Sequence, residues 1–250
     1  MQYRHAPDED FSDLASGAVL RSAPGQPAFP VRLGLELLGR ALEHVPGTGP
    51  VTVWDPCCGA GQLLTSVALL RRSRLGAVVG SDAEPAALAL AERNLALLTA
   101  DGLAQRECEL RGLADAHGKA SHERASAAAH RLRDRLAADG GDLAWSLHRA
   151  NALDPAQLAP IVAAQAPDVV IADVPHGDRT HWTPHDGRSG EADLVAALDA
   201  VLPAGSVIVV VVRGRRVHLP AGTRALERHR IGHRAAALVR AGEVAGSARC

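Results

Sequence analysis

The sequence has few aromatic residues, one lysine and no long apolar run. Aromatic side chains make up 2% of the 250 residues, so alanine, valine and leucine must build the core, which suits closely packed layers of helices and strands. The longest apolar run, residues 207–212, is far too short to span a bilayer, and the first fifteen residues contain no apolar segment typical of a secretory signal. We therefore expect a cytoplasmic protein that does not interact with membranes.

Cysteines are also scarce, and their spacing fits neither a disulfide framework nor a zinc site. The four are Cys57, Cys58, Cys108 and Cys250, which we expect to be reduced thiols. Apolar residues at 47% and charged residues at 22% exclude a chain that is disordered throughout. The length suffices for one large domain or two small ones, and we predict a single domain over residues 1–250.

The net charge of −1 hides a strong asymmetry along the chain. Residues 213–240 contain eight arginines and one acid, Glu227, so this segment is positive and the remainder is negative. Such a segment can face a polyanion, although a solvated surface in an arginine-rich protein is the alternative. The eight are Arg213, Arg215, Arg216, Arg224, Arg228, Arg230, Arg234 and Arg240.

Short β-branched runs alternate with segments of helical periodicity, which predicts a parallel sheet covered by helices on both faces. The predicted strands are residues 51–54, 76–81, 145–149, 168–172 and 206–212, followed by a closing hairpin at 225–230 and 234–240. The predicted helices are residues 31–45, the segment after Gly61, 84–100, 155–165 and 191–202, with a helical insertion at about 101–144. The fold class is therefore α/β, a doubly wound, mostly parallel sheet of seven strands. Ligands of such sheets bind beyond the carboxyl ends of the strands.

The turn after the first strand is the most informative segment. It comprises Asp55, Pro56, Cys57, Cys58, Gly59, Ala60, Gly61 and Gln62. Its two glycines would let a ligand approach the backbone, but Leu64 stands where a dinucleotide fingerprint requires a third glycine. A carboxylate at Asp55 suits a cationic ligand such as S-adenosylmethionine better than a diphosphate. An ordinary strand-to-helix turn with glycines for close packing is the alternative.

Two further polar residues follow predicted strands. Asp82, beside Ala83, can accept hydrogen bonds from both ribose hydroxyls of an adenosine, or it can cap the next helix. Asn151 can hydrogen-bond an adenine edge, with Ala152 and Leu153 beside it, or it can serve only its own loop. Asp154, before a proline, is typical of a helix cap.

The segment after the fourth strand carries the candidate catalytic residues. Asp173 and the carbonyl of Val174 or Pro175 can accept hydrogens from a base nitrogen, while His176 can stack on the base. A turn with a solvent-facing histidine is the alternative. Trp182 offers either a second stacking surface or a packing anchor. We expect no metal, because the nearby histidines are not spaced on a helix that would align them.

Two of these segments resemble motifs of class I S-adenosylmethionine-dependent RNA methyltransferases. Residues 55–61 resemble the D-P-x-C-G-x-G motif, and residues 173–177 resemble the D/N-P-P-Y/F-G motif, with Val174 and His176 replacing a proline and an aromatic residue. Residues 29–32 are similar to the lead-in of the guanine-N2 branch. As a whole, the chain resembles the avilamycin-resistance family of ribosomal RNA guanine methyltransferases, over residues 1–250.

This resemblance implies S-adenosylmethionine as cofactor, 23S ribosomal RNA or the large ribosomal subunit as partner, and resistance to a ribosome-targeting antibiotic. Because Arg213, Arg215 and Arg216 follow the fifth strand at the ligand-binding edge, we expect them to contact RNA phosphates, while Trp182 is the RNA-binding candidate for stacking. A methyltransferase acting on a small natural product is the second hypothesis. A non-catalytic RNA-binding protein that retains the fold is the third. The oligomeric state is not predicted.

Overall fold

The computed structural model describes residues 2–14, 18–23, 29–174 and 190–245. Seven strands form one sheet: β1 Val51–Asp55, β2 Leu75–Asp82, β3 Ala144–Arg149, β4 Val169–Asp173, β5 Val207–Arg213, β6 Glu227–Ile231 and β7 Arg234–Arg240. Their order is β3-β2-β1-β4-β5-β7-β6, with β1 to β5 mutually parallel and β7 antiparallel to both of its neighbours. This confirms the predicted doubly wound, mostly parallel sheet and its closing hairpin.

In the described part of the chain, seven α-helices flank the sheet: α1 Val31–His44, α2 Gln62–Leu70, α3 Pro85–Leu95, α4 Ala100–His117, α5 Ala120–Ala138, α6 Pro155–Gln165 and α7 Gly190–Val201. Short 3-10 turns lie at Ser12–Leu14, Arg72–Arg74 and Ala96–Leu98. The predicted end of the helix 84–100 was wrong. Thr99 is the N-cap of a new helix, α4, because its hydroxyl accepts a hydrogen bond from the Gly102 amide. The region predicted as a helical insertion consists mainly of α4 and α5.

Valines of β5 show why both faces of the sheet are covered. Val207, Val209 and Val211 pack into the core formed with α1 to α5, while Ile208 and Val210 pack into a second core with α6 and α7. All five are fully buried. A strand buried on both sides reads as a continuous apolar run, which is how residues 207–212 appear in the sequence. None of the helices in the described ranges is long and apolar enough to cross a membrane.

An N-terminal arm, residues 2–14 and 18–23, wraps over α1 and the α4–α5 pair. The buried Glu36 carboxylate on α1 accepts the backbone N–H groups of Arg4, His5 and Ala6 at 2.8, 2.7 and 3.1 Å. Burial raises the pKa of Glu36, but these hydrogen bonds outweigh it and the pKa is lowered. Ion pairs of Asp13 with Arg131 and of Arg21 with Glu109 extend the attachment to α5 and α4.

A buried charged network joins α1 to the edge strand β6. Arg40 bonds Glu36 at 2.7 Å and Glu227 at 2.9 Å, and its second terminal nitrogen donates to the Gln2 carbonyl. The Glu227 carboxylate also accepts from His44 and His229, at 2.8 and 2.6 Å. Burial raises the pKa of Glu227, yet the hydrogen bonds prevail and lower it to about 2. The start of the chain is thereby tied to its last hairpin.

Candidate active site

Three carboxylates meet where β1, β2 and β4 end. Asp55 ends β1 level with Gly80 of β2, and Asp82 lies two residues further along β2. Trp54 pairs with Val170 of β4, so Asp173 ends its strand close by. The alternation of side chains places all three on the sheet face that carries α1 and α2. The structure thus brings together the three acids that the sequence singled out.

Asp55 is the most deeply buried of the three, at 2% exposure. Burial raises its pKa well above the ordinary value, and the charges of Asp173 and Asp82 raise it further, while a 3.0 Å hydrogen bond from the Cys57 amide opposes them. Within the described ranges, Asp55 forms no ion pair with a cationic side chain. A buried acid beside two others stabilises a cation that enters the site.

The neighbouring cysteines add no charge to this site. Burial raises the pKa of the Cys57 and Cys58 thiols, and the carboxylates of Asp55 and Asp82 add to the effect, so both thiols are protonated. Neither forms a disulfide. Their amides hold the turn instead: Cys58 N–H donates to the Ser81 carbonyl at 3.0 Å. The turn after β1 is therefore fixed against the end of β2.

The two glycines of the turn have different surroundings. Gly59 and Gly61 adopt φ of 52° and 70°, a region that favours glycine. A Cβ on Gly59 would meet nothing within 4 Å, whereas one on Gly61 would lie 3.2 Å from the Ala91 Cβ of α3. Gly61 therefore allows α2 and α3 to pack, the role given as the alternative, while its contact with a ligand stays a prediction. Only Gly59 faces open space.

Asp82 holds the turn as well as facing the site. Its two carboxylate oxygens accept from the Gly59 and Glu84 amides, each at 2.9 Å. The alternative role as cap of α3 was wrong, because Glu84 occupies the cap position and accepts from the Ala86 amide. Each carboxylate oxygen can accept a second hydrogen bond, so contact with ribose hydroxyls stays a prediction. Ala83 beside it is exposed.

Asn151 follows β3 and uses its side chain within its own loop. Its amide oxygen accepts from the Leu153 N–H at 3.0 Å, which is the loop role given as the alternative. Asn151 itself is exposed, Ala152 is buried and Leu153 is half-buried. Contact of these residues with an adenine stays a prediction. The Asp154 cap of α6 is confirmed, since its carboxylate accepts from the Ala156 amide.

Asp173 has a partner that the sequence did not reveal. The Arg234 guanidinium of β7 bonds the Asp173 carboxylate at 2.6 Å and lies 5.0 Å from the centre of the Phe29 ring. The sequence analysis treated Arg234 only as one arginine among eight. The pairing of β5 with β7 places Arg234 level with Arg213 at this end of the sheet. Pro175, His176 and Trp182, together with His181 and His185, lie outside the described residues.

A second residue missed by the sequence analysis is Asn94 of α3, which is fully buried. Its side-chain amide donates to the Ala60 carbonyl at 2.8 Å and the Arg21 carbonyl at 2.9 Å, and its oxygen accepts from the Arg21 N–H at 2.8 Å. Gln62 also donates to the Arg21 carbonyl. The N-terminal arm is thereby attached to the glycine turn.

The arginines of residues 213–240 do not all lie at the site. Arg213, Arg215 and Arg216 are exposed at and just after the carboxyl end of β5, as expected of phosphate contacts. Arg240 lies at the opposite end of the sheet, where it donates to the His44 and Gly205 carbonyls.

In the described ranges, no group of three or more His, Cys, Asp or Glu side chains could hold a metal ion.

Comparisons with known proteins identify the family of this chain. The chain is 51% identical over 243 residues to the 23S rRNA (guanine(2535)-N(1))-methyltransferase of Streptomyces viridochromogenes, covering 97% of each chain. Two solved structures of the rRNA methyltransferase AviRa from that organism superpose with TM-scores of 0.91 and 0.92, at 50% and 49% identity over 98% and 99% of each chain. The family model for rRNA methyltransferase AviRa matches residues 1–234. This chain therefore belongs to the AviRa family of rRNA methyltransferases.

Proposed function

We propose that this protein transfers a methyl group from S-adenosylmethionine to N1 of a guanine in 23S ribosomal RNA. Family membership supports RNA methylation, and the relative at 51% identity is named for guanine N1. We therefore favour N1 over the exocyclic N2 that the lead-in segment suggested. The methylated guanine would protect the ribosome from an avilamycin-type antibiotic. With this substrate, the protein would act in the cytoplasm, and 23S rRNA or the large ribosomal subunit would be its partner.

The observation that carries the proposal is the buried Asp55 at the glycine turn. It lacks an ion pair within the described ranges and lies beside Asp82 and Asp173, so the pocket is acidic. S-adenosylmethionine carries a sulfonium and an ammonium group, and such a cation offsets the cost of burying these carboxylates. Gly59 has open space where the methionyl part would approach. These residues fit the cofactor, which would supply an activated methyl group.

Asp173 is the candidate acceptor of the guanine proton. Guanine N1 carries a hydrogen that must leave if the nitrogen is to become methylated and remain neutral. The Asp173 carboxylate lies at the same edge as Asp55, and 27% of its side chain is exposed, so a base could reach it. The predicted partners Pro175 and His176 would hold the base edge and stack on its plane.

The exposed arginines provide a path for the RNA backbone. Arg213, Arg215 and Arg216 lie at the carboxyl end of β5, the strand adjacent to β4 and its Asp173. Cations at this position can neutralise the phosphates on either side of an inserted base. Trp182 is the candidate for stacking a neighbouring base. A small-molecule methyltransferase would not need this row of cations.

The test is methyl transfer from labelled S-adenosylmethionine to 23S rRNA transcripts, to isolated large subunits and to an extract of small metabolites. Digestion to nucleosides and mass spectrometry should show N1-methylguanosine from rRNA or subunits. Label in the metabolites alone would support the natural-product hypothesis, and tight RNA binding without label would support the non-catalytic one. Label on N2 would overturn the choice of ring atom.

The role of Asp173 is tested by single-turnover rates of Asp173→Ala on the same rRNA. Removing one preorganised acceptor should slow methyl transfer on the order of 100-fold. Cofactor affinity measured by calorimetry should change little, because this acceptor acts mainly on the transition state. A variant with the parental rate would remove Asp173 from the mechanism.

A further inference from the structure

The Arg234 guanidinium is largely buried, and burying a charge costs free energy unless a partner compensates it. Its side chain is 12% exposed, and its guanidinium contacts the Asp173 carboxylate at 2.6 Å. The ring of Phe29, itself 8% exposed, lies 5.0 Å away and forms a cation–π contact. A guanidinium held by both a carboxylate and an aromatic ring has little freedom, so it also restricts the orientation of the carboxylate.

We propose that Arg234 is a positioning residue for methyl transfer, whose guanidinium fixes the Asp173 carboxylate as the acceptor of the guanine N1 proton. The inference rests on the proposed function. Arg234 bonds Oδ1 of Asp173, which directs Oδ2 to the base. In the step, guanine N1 gives its proton to Asp173, and the N1 electron pair forms the bond to the methyl carbon. The carbon–sulfur bond of the sulfonium breaks with its electron pair remaining on sulfur, and Asp173 later releases the proton to water.

The charges around Asp173 show why the step depends on Arg234. Burial raises the pKa of Asp173, while Arg234 of β7, through its charge and hydrogen bond, and the charge of Arg213 of β5 lower it. Asp55 of β1 and Cys57 of the turn also interact with Asp173, and a negative charge at Asp55 favours the protonated acid. Without Arg234, the Asp173 carboxyl should keep its proton to higher pH and could not accept another.

The experiment compares Arg234→Met with Arg240→Met, a matched arginine at the other end of β7 that bonds only carbonyls and Glu243 in the described ranges. First, the protein alone, with ¹³C-labelled aspartate carboxyls, is titrated by NMR, and the Asp173 signal is assigned by its loss in Asp173→Asn. Second, single-turnover methylation of rRNA is measured from pH 5 to 9.

In Arg234→Met, the Asp173 titration and the acid limb of the rate profile should both move to higher pH by one unit or more, equivalent to at least about tenfold in rate on that limb. Arg240→Met should leave both at the parental position. Arg234→Lys retains the positive charge but lacks the planar guanidinium. Its rate profile should keep the acid limb near that of the parent and reach a lower plateau rate. Phe29→Leu should show a smaller shift than Arg234→Met.

Equal titrations and acid limbs in the parent, Arg234→Met and Phe29→Leu would overturn the inference, as would an equal shift in Arg240→Met. If Arg234→Met does not fold, the upward shift expected in Phe29→Leu and the lower plateau rate expected in Arg234→Lys decide the question. A parent protein that methylates no guanine would overturn the proposed function and this inference together. Parental methylation with an unchanged acid limb in Arg234→Met would overturn only the inference.

Discussion

Gly61→Ala should destabilise the protein more than Gly59→Ala, although the two residues are neighbours in one turn. Both residues adopt positive φ, at 70° and 52°. An alanine at either position therefore incurs a similar backbone cost of roughly 1–2 kcal/mol. Only at Gly61 does the added methyl group lie 3.2 and 3.3 Å from the Cβ and Cα of Ala91. The difference between the variants isolates this steric conflict.

The size of the difference follows from the rigidity of the contact. The Ala91 Cα belongs to the backbone of α3, so relief requires α2 and α3 to separate slightly. Overpacking of this kind costs roughly 1–3 kcal/mol. For a domain of this size, each kcal/mol corresponds to about 2–4 °C in melting temperature, so Gly61→Ala should melt roughly 2–12 °C below Gly59→Ala.

The assay combines thermal unfolding with calorimetry of S-adenosylmethionine binding. Gly59→Ala should lose cofactor affinity while its melting temperature falls only by the shared backbone cost, because its methyl group would enter the open space beside the turn. Urea unfolding of both variants provides an independent measure of stability. Equal melting temperatures, or a lower one for Gly59→Ala, would refute the distinction between a packing glycine and a ligand-facing one.

Two further predictions follow from charged groups. The folded state lowers the pKa of Glu227 from its ordinary 4.5 to about 2. The parent should therefore be more stable than Glu227→Gln above pH 4.5. Urea unfolding should show this difference in stability disappearing as the pH falls toward 2. Alanine at Arg213, Arg215 and Arg216 together should reduce the slope of log K against log salt for RNA binding by about 0.7–0.9 per lost phosphate contact. An unchanged slope would mean that these arginines only face solvent.

Much of the fold was predictable because its signals are local. The run 207–212 indicated a strand buried on both faces, and the structure places β5 there. The break at Thr99 was missed because the residues on either side of it are good helix formers, and a single hydroxyl cap ends the pattern. Propensity averaged over a helix does not show where one helix stops and another begins.

The candidate site could be predicted only for residues whose place along a strand determines where they lie in the fold. Asp55, Asp82 and Asp173 each end a parallel strand, so topology alone places them at one edge. Arg234 and Asn94 were missed because their roles depend on contacts across 61 and 73 residues, which no local pattern encodes. The sequence left both roles of Gly61 open, because a glycine that admits a ligand and one that admits a helix look the same in sequence.

The connection between the N-terminal arm and the last hairpin has a consequence for biosynthesis. The Gln2 carbonyl is bonded by Arg40, which is itself paired with Glu227 of β6. During translation, the arm leaves the ribosome long before Glu227 emerges. The network around Arg40 can therefore close only after β6 has been made, so fixing the Gln2 carbonyl should be one of the last events of folding. The support that Arg21 and Asn94 give to the glycine turn needs no residue beyond α3, so that part of the arm can dock before the last hairpin exists.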